Sequence, residues 1–147
     1  MSKTMQAPKL ILSGQGESFP MLGLTFTAKI TADDTNNGWV MHEITGTEGH
    51  GAPLHTHPWE ETFYVLEGEM EVHIGRRQSF VTAGTLMHLP ANVAHDFRVC
   101  SPTIRLLEMI PAFARSFYQE VGEKITSMPP DLELFETICR KHGVRLL

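Results

Sequence analysis

Four residues carry the chemistry this sequence could do. His55, His57 and Glu61 lie in the stretch Gly49-His50-Gly51-Ala52-Pro53-Leu54-His55-Thr56-His57-Pro58-Trp59-Glu60-Glu61-Thr62-Phe63-Tyr64-Val65. In an extended chain, side chains two and four residues apart share a face. His55, His57 and Glu61 are therefore expected to point the same way, followed on that face by Phe63 and Val65. Two imidazoles and a carboxylate backed by apolar side chains suit a divalent metal, which needs nitrogen and oxygen ligands in a dry, rigid shell. An H-x-H pair alone is a weak signal, and a break at Pro58 would undo the parity. A further inward histidine from another strand is required, and His95 is the candidate.

These residues need strands to position them. Met21 to Ile30 alternates apolar and polar residues with period two. Asn36-Asn37-Gly38 supplies turn chemistry before a returning strand, Trp39–Thr45. Further short runs, rich in β-branched and aromatic residues, follow at Glu61–Leu66, Met70–Ile74, Gln78–Thr82, Thr85–Leu89, Ala94–Val99 and Thr103–Ile110. Such spacing predicts an all-β sandwich or barrel. After Pro111, Phe113, Phe117 and Val121 recur at helical spacing, and Gly122 is the expected stop. A second helix is expected to start at Ser127-Met128-Pro129-Pro130-Asp131, with proline in its first turn. Its apolar stripe would be Leu132, Phe135, Ile138 and Cys139, its basic last turn Arg140, Lys141 and His142, and its C-cap Gly143. The reading is a single domain over residues 1–147, a barrel over about 10–110 and a helical extension over about 111–147.

Composition narrows the partners. Lys plus Arg number 12 against 17 Asp plus Glu, a net charge of −5, and no run of Lys and Arg exceeds a pair such as Arg76-Arg77. Nucleic acid and anionic membranes are not expected partners, because phosphate binding needs clustered cations. No apolar run reaches the ~18 residues of a membrane span. Residues 1–8 read as a polar tail without the apolar core of a signal peptide, so a cytoplasmic location is expected. Cys100 and Cys139 have neither CxxC spacing nor a disulfide pattern and read as small buried hydrophobes.

Residues 49–68 resemble the first motif of the cupin superfamily through Gly49, His55, His57, Glu61 and Gly68. The second cupin motif is matched by Gly84, Pro90 and His95, with Asn92 where the family has Gly and Val99 where it has Asn. Asn tolerates a left-handed backbone, so the turn can survive. The resemblance implies a double-stranded β-helix, or jelly-roll barrel, with one or two C-terminal α-helices. It also implies one divalent transition metal (Fe, Mn, Ni, Co or Zn) held by His55, His57, Glu61 and His95, with Glu61 able to act as a base. No other cofactor is implied. The C-terminal tail is loosely similar to small quercetinase-like cupins, which implies a metal-dependent dioxygenase acting on a small aromatic or dicarbonyl-type chelator. A non-redox isomerase or lyase, and a metal-dependent ligand-binding module without turnover, stay open, since fold does not decide function. The resemblance further implies a homodimer, with Leu10–Ser13 and the strand near Leu22–Ile30 as expected contributors.

The remaining candidates are less defined. His50 could face the pocket mouth, His42 and His88 could take either strand parity, and His73 is expected opposite the apolar face. Trp39, Trp59, Phe63, Met87 and Phe97 read as barrel filling, and a lumenal arginine from another strand, Arg105 for instance, could restore a sugar-phosphate isomerase alternative.

Overall fold

The computed structural model describes residues 6–147. Residues 1–5 of the expected polar tail lie outside the described residues, and residues 6–8 form neither strand nor helix. The strands are β1 (Ser18–Met21), β2 (Leu24–Ile30), β3 (Trp39–Thr47), β4 (Gly51–Thr56), β5 (Glu61–Glu67), β6 (Glu69–Ile74), β7 (Arg77–Thr82), β8 (Leu86–Leu89), β9 (His95–Val99), β10 (Thr103–Pro111) and β11 (Arg145–Leu146). Two helices, α1 (Arg115–Lys124) and α2 (Leu132–Lys141), follow β10. The strands form two antiparallel sheets, ordered β1-β2-β3-β10-β5-β8 and β11-β4-β9-β6-β7. This is the expected jelly roll with two C-terminal helices.

Alternation decides what enters the space between the sheets. Val40, His42 and Ile44 of β3, Ile104, Leu106, Glu108 and Ile110 of β10, and Glu61, Phe63 and Val65 of β5 are all buried. Cross-strand register lines up His42 with Glu108 and Glu108 with Phe63. A slip of one residue would turn this whole set outward, so burial of one face holds the register.

Several expectations are corrected. Met21–Ile30 is not one strand: Leu22 and Gly23, with φ of +52° and +80°, make a turn that divides it into β1 and β2. Leu24 and Phe26 keep the inward parity, but β2 lies between β1 and β3, so the edge strand at this end of the sheet is β1 and not β2. The terminal pair β11, which no periodicity announced, pairs with Thr56 and His55. Gly122 does not end the first helix, which runs to Lys124. Its lack of a side chain serves packing, since a Cβ there would stand 2.8 Å from the Phe19 ring of β1. Phe113 is 68% exposed and precedes the helix, whose buried face is Phe117, Tyr118 and Val121. Pro129 and Pro130 precede the second helix rather than occupying its first turn. Asp131 is the N-cap, accepting the Leu134 N–H. Leu132 is 67% exposed, which leaves Phe135, Ile138 and Cys139 as the buried stripe. Trp39, at 38% exposure, is not barrel filling. Cys139 is buried, Cys100 half-buried, and both are free thiols.

Glu120 fastens α1 to α2. Its carboxylate accepts from Lys124, Lys141 and His142, and these donors, Lys124 foremost, draw its pKa down to about 2. Among the described residues, no helix is long and apolar enough to cross a membrane.

Candidate metal centre

β4 and β9 bring two of the histidines together directly, because His55 is the cross-strand partner of His95 and their ring centroids lie 4.2 Å apart. His57 follows β4, and its ring meets that of His95 edge-on at 4.8 Å. The Trp59 indole lies flat against His57, at 4.4 Å with an 8° interplanar angle. Glu61 opens β5 in the opposite sheet. The chain therefore bends between Thr56 and Glu61, and His55, His57 and Glu61 do not share one strand face as the parity predicted. They converge because β4 and β5 belong to facing sheets, and the bend at Pro58 carries the chain from one to the other.

The imidazoles are oriented by backbone carbonyls. His55 Nδ1 lies 2.6 Å from the Pro53 oxygen, His57 Nδ1 2.8 Å from the Trp59 oxygen and His95 Nδ1 2.9 Å from the Val93 oxygen. A carbonyl only accepts, so each Nδ1 carries a proton, and the neutral form of such a ring presents an Nε2 lone pair. Nε2 of His57 and of His95 is buried with no hydrogen-bond partner. One candidate ligand atom from each of the three histidines lies within 4.8 Å of the others. Buried, unpartnered acceptors are costly, and a shared cation is the group that would satisfy several lone pairs at once. The donor set thus fits a divalent metal.

Glu61 stands beside them, its Oε2 3.5 Å from His57 Nε2 and its Oε1 3.7 Å from His95 Nε2. Tyr118 of α1 donates its hydroxyl to Glu61 Oε2 at 2.7 Å. Burial works against the Glu61 carboxylate, but the neighbouring His57 and His95 rings and the Tyr118 hydroxyl outweigh it and hold the carboxyl below its usual range. Burial pushes His55 down to about 4, with His95 adding to the effect, and burial lowers His95 too. Both shifts favour the neutral imidazole that ligation demands.

The cavity in front of the histidines measures about 50 Å³. Its walls include Leu24, Phe26, Ile44, Phe63 and Phe97, with no lysine or arginine. Arg105 points outward to Glu67 and Glu43. Of the other candidate histidines, His50 bonds to Thr47, His73 to Asp96 and His88 to Thr62, all away from the cluster. Asn92 holds the left-handed turn, φ +67°, and donates its N–H to the His57 carbonyl. Val99 fills the core instead of supplying a polar contact.

Two polar residues of this site escaped the sequence reading. Tyr118 gave no local signal beyond helical spacing. Glu108 did give one, because it shares the inward parity of Ile104, Leu106 and Ile110. Its Oε1 lies 2.9 Å from Nδ1 of His42. Burial, then the charge of Glu61, pushes the Glu108 carboxyl well above the usual range, and burial lowers His42 to about 4.

Residues 43–108 match the cupin domain family model. Quercetin 2,3-dioxygenase of Bacillus subtilis (strain 168) is 25% identical over 119 residues, covering 79% of this chain and 35% of that protein. The chain thus spans about a third of that relative's length. The polyketide cyclase RemF of Streptomyces resistomycificus superposes with a TM-score of 0.63 at 25% identity, over 72% of this chain and 80% of that one. KdgF of Halomonas sp. shares the fold, with a TM-score of 0.64 at 12% identity over 72% of this chain and 94% of that one. With both motifs, the facing sheets and these matches in agreement, the chain is a member of the cupin superfamily.

Proposed function

We propose that this protein is a metal-dependent dioxygenase of a small chelating substrate, with His55, His57, Glu61 and His95 as the metal ligands. The observation that carries the reading is the convergence of histidines whose Nδ1 atoms are spent on backbone carbonyls, with the Nε2 atoms of His57 and His95 left buried without a partner. When bound, a divalent transition metal supplies Lewis acidity and open positions for an oxygen chelator and dioxygen. The chain's own residues do the rest. Trp59 and the backbone carbonyls hold the rings, and Phe63 and Phe97 keep water out. Glu61, steadied by Tyr118, serves as a ligand and as the base that takes a substrate proton. A cavity of about 50 Å³, well below the ~300–1,000 Å³ of pockets for drug-sized ligands, favours the dicarbonyl end of the substrate range over flavonols. The distant likeness to a quercetin dioxygenase supports the oxidative class.

Anaerobic metal reconstitution followed by an oxygen-uptake screen over diketones, simple phenols and flavonols tests this. Oxygen consumption matched to substrate loss is the expected result. Full-rate turnover under strict anaerobiosis would overturn it in favour of a non-redox isomerase or lyase. The likeness to a polyketide cyclase supports that second reading, because cyclisation involves no net oxidation. Metal-dependent binding without turnover of any substrate would leave a ligand-binding module.

A cytoplasmic homodimer belongs to the same proposal, with β1 as the pairing edge because it has a strand neighbour on one side only. A single-chain mass by light scattering at micromolar concentration would refute the pairing.

A further inference from the structure

A second hollow lies between α1 and the strands β1, β2 and β3. It measures about 280 Å³, against about 50 Å³ in front of the histidines. The His42 ring lines it, while Glu108, bonded to that ring, lines the metal-side cavity. The hollow therefore belongs to a different part of the molecule from the metal centre. Its floor is apolar, formed by Phe19 of β1, Ala28 and Ile30 of β2 and Val40 of β3. His42 is 3% exposed. Its Nδ1 is taken by Glu108, and among the described residues its Nε2 has no partner. That nitrogen is left to whatever occupies the hollow.

The helix wall carries Arg115, Gln119 and Glu123, spaced by four on one face of α1. Eight residues of helix put the Arg115 and Glu123 backbones about 12 Å apart. Lys124 and Arg140 pair with Glu120 and Glu136, whereas Arg115 and Glu123 have no ion-pair partner among the described residues. Both also stand against the helix macrodipole, whose positive end favours acids and whose negative end favours bases. Arg115 is the first residue of α1, and Glu123 is the last but one. These charges do not serve the helix. What they complement is a dipole lying beside it, negative at Arg115 and positive at Glu123. Glu17, from the strand side, adds a second carboxylate to the same hollow. One cation facing two anions disfavours a plain anion as the occupant.

We propose that this hollow binds an extended zwitterion of the ω-amino acid class. Its carboxylate meets Arg115, its ammonium meets the carboxylates of Glu123 and Glu17, and its apolar chain lies on Phe19, Ile30 and Val40. An α-amino acid carries its charges on neighbouring carbons and cannot reach both ends of the helix wall.

The probes are 6-aminohexanoate, hexanoate and hexylammonium, which share one chain length and differ in their charged ends. Each is titrated into zinc(II)-loaded protein. Dissociation constants are read from the amide shifts of Ser18, Ala28, Gln119 and Glu123 in nitrogen-15 NMR spectra. An ion pair open to water is worth at most about fivefold in affinity, and 6-aminohexanoate should exceed each single-ended probe by about that factor. Arg115→Gln should remove its advantage over hexylammonium. Glu17→Gln combined with Glu123→Gln should remove its advantage over hexanoate. A 6-aminohexanoate constant within about twofold of either other probe in wild type, or probes that leave all four amides unmoved, overturns the inference. A lowered unfolding midpoint in the variants without any change in probe preference would assign these charges to the fold and overturn it too. If a variant failed to fold, the wild-type probe series would still decide. No groove residue is a candidate metal ligand, so a protein that took up no zinc would refute the metal reading and leave this test standing.

Discussion

Replacing His57 and His95 together with alanine should strip the protein of its metal. Purified wild-type protein is expected to carry close to one transition metal per chain and the double variant almost none, by elemental analysis. Loss of a supporting hydrogen bond around a metal ligand alone costs about 10–100-fold in affinity, and removing two ligands outright costs more. These are the two rings whose Nε2 atoms are buried without a partner, so they have the most to gain from a shared cation. His73→Ala is the control, because that ring is bonded to Asp96 on the outer face and its loss should leave the content unchanged. Wild-type metal in the double variant would sink the assignment. The metal-free protein adds a pH signature. His55 and His42 titrate near 4 in the folded chain against an ordinary 6.5, because burial disfavours their charged forms. Between those values the unfolded chain binds more protons than the folded one. Stability therefore rises with pH from about 4 to 6.5 and is lost as pH falls through that window. A denaturant midpoint that does not change between pH 7 and pH 4.5 would contradict the burial of these rings.

Gly51→Ala should be the most damaging single methyl group that can be added near the site. Gly51 opens β4 opposite Arg98 of β9. A Cβ there would stand 1.8 Å from the Phe97 carbonyl oxygen and 3.0 Å from the Arg98 Cα, both backbone atoms with no rotamer to escape into. The strands would have to part, in the same ladder that sets His55 opposite His95. The expected loss reaches or exceeds the roughly 1–3 kcal/mol of ordinary overpacking, with metal content falling in step. Gly49→Ala makes the comparison sharp. A Cβ at Gly49 meets nothing within 4 Å, and only its φ of +86° resists the change, at about 1–2 kcal/mol. Denaturant midpoints of the two variants measure the difference. If Gly51→Ala proved no worse than Gly49→Ala, the close approach of β4 to β9 would be refuted.

That contrast separates what the chain announces from what folding decides. Gly49 was legible as a motif glycine, whereas nothing local marks Gly51, because the atom it must avoid belongs to residue 97. Alternation in β2 and β5 was legible because strand geometry has period two, and Leu24, Phe26, Phe63 and Val65 are buried as it requires. The turn at Asn36 and Asn37, both with positive φ, was legible for an equally local reason, the tolerance of asparagine for that backbone. The histidine pattern and the glutamate after it are local in the same sense, since motif spacing survives any path the chain takes between them. The parity argument for His55, His57 and Glu61 failed as geometry because it assumed one continuous strand, while Pro58 turns the chain from one sheet to the other. The hydrogen bonds from Tyr118 to Glu61 and between His42 and Glu108 span 57 and 66 positions. Periodicity carries no information about such pairs, because it reports which face a side chain takes and not which distant residue faces it. The residue types that could hold a metal were determined by the sequence alone. What surrounds them, a helix tyrosine on the carboxylate and a second buried carboxyl bonded to His42, was decided only when the two sheets and α1 closed on one another.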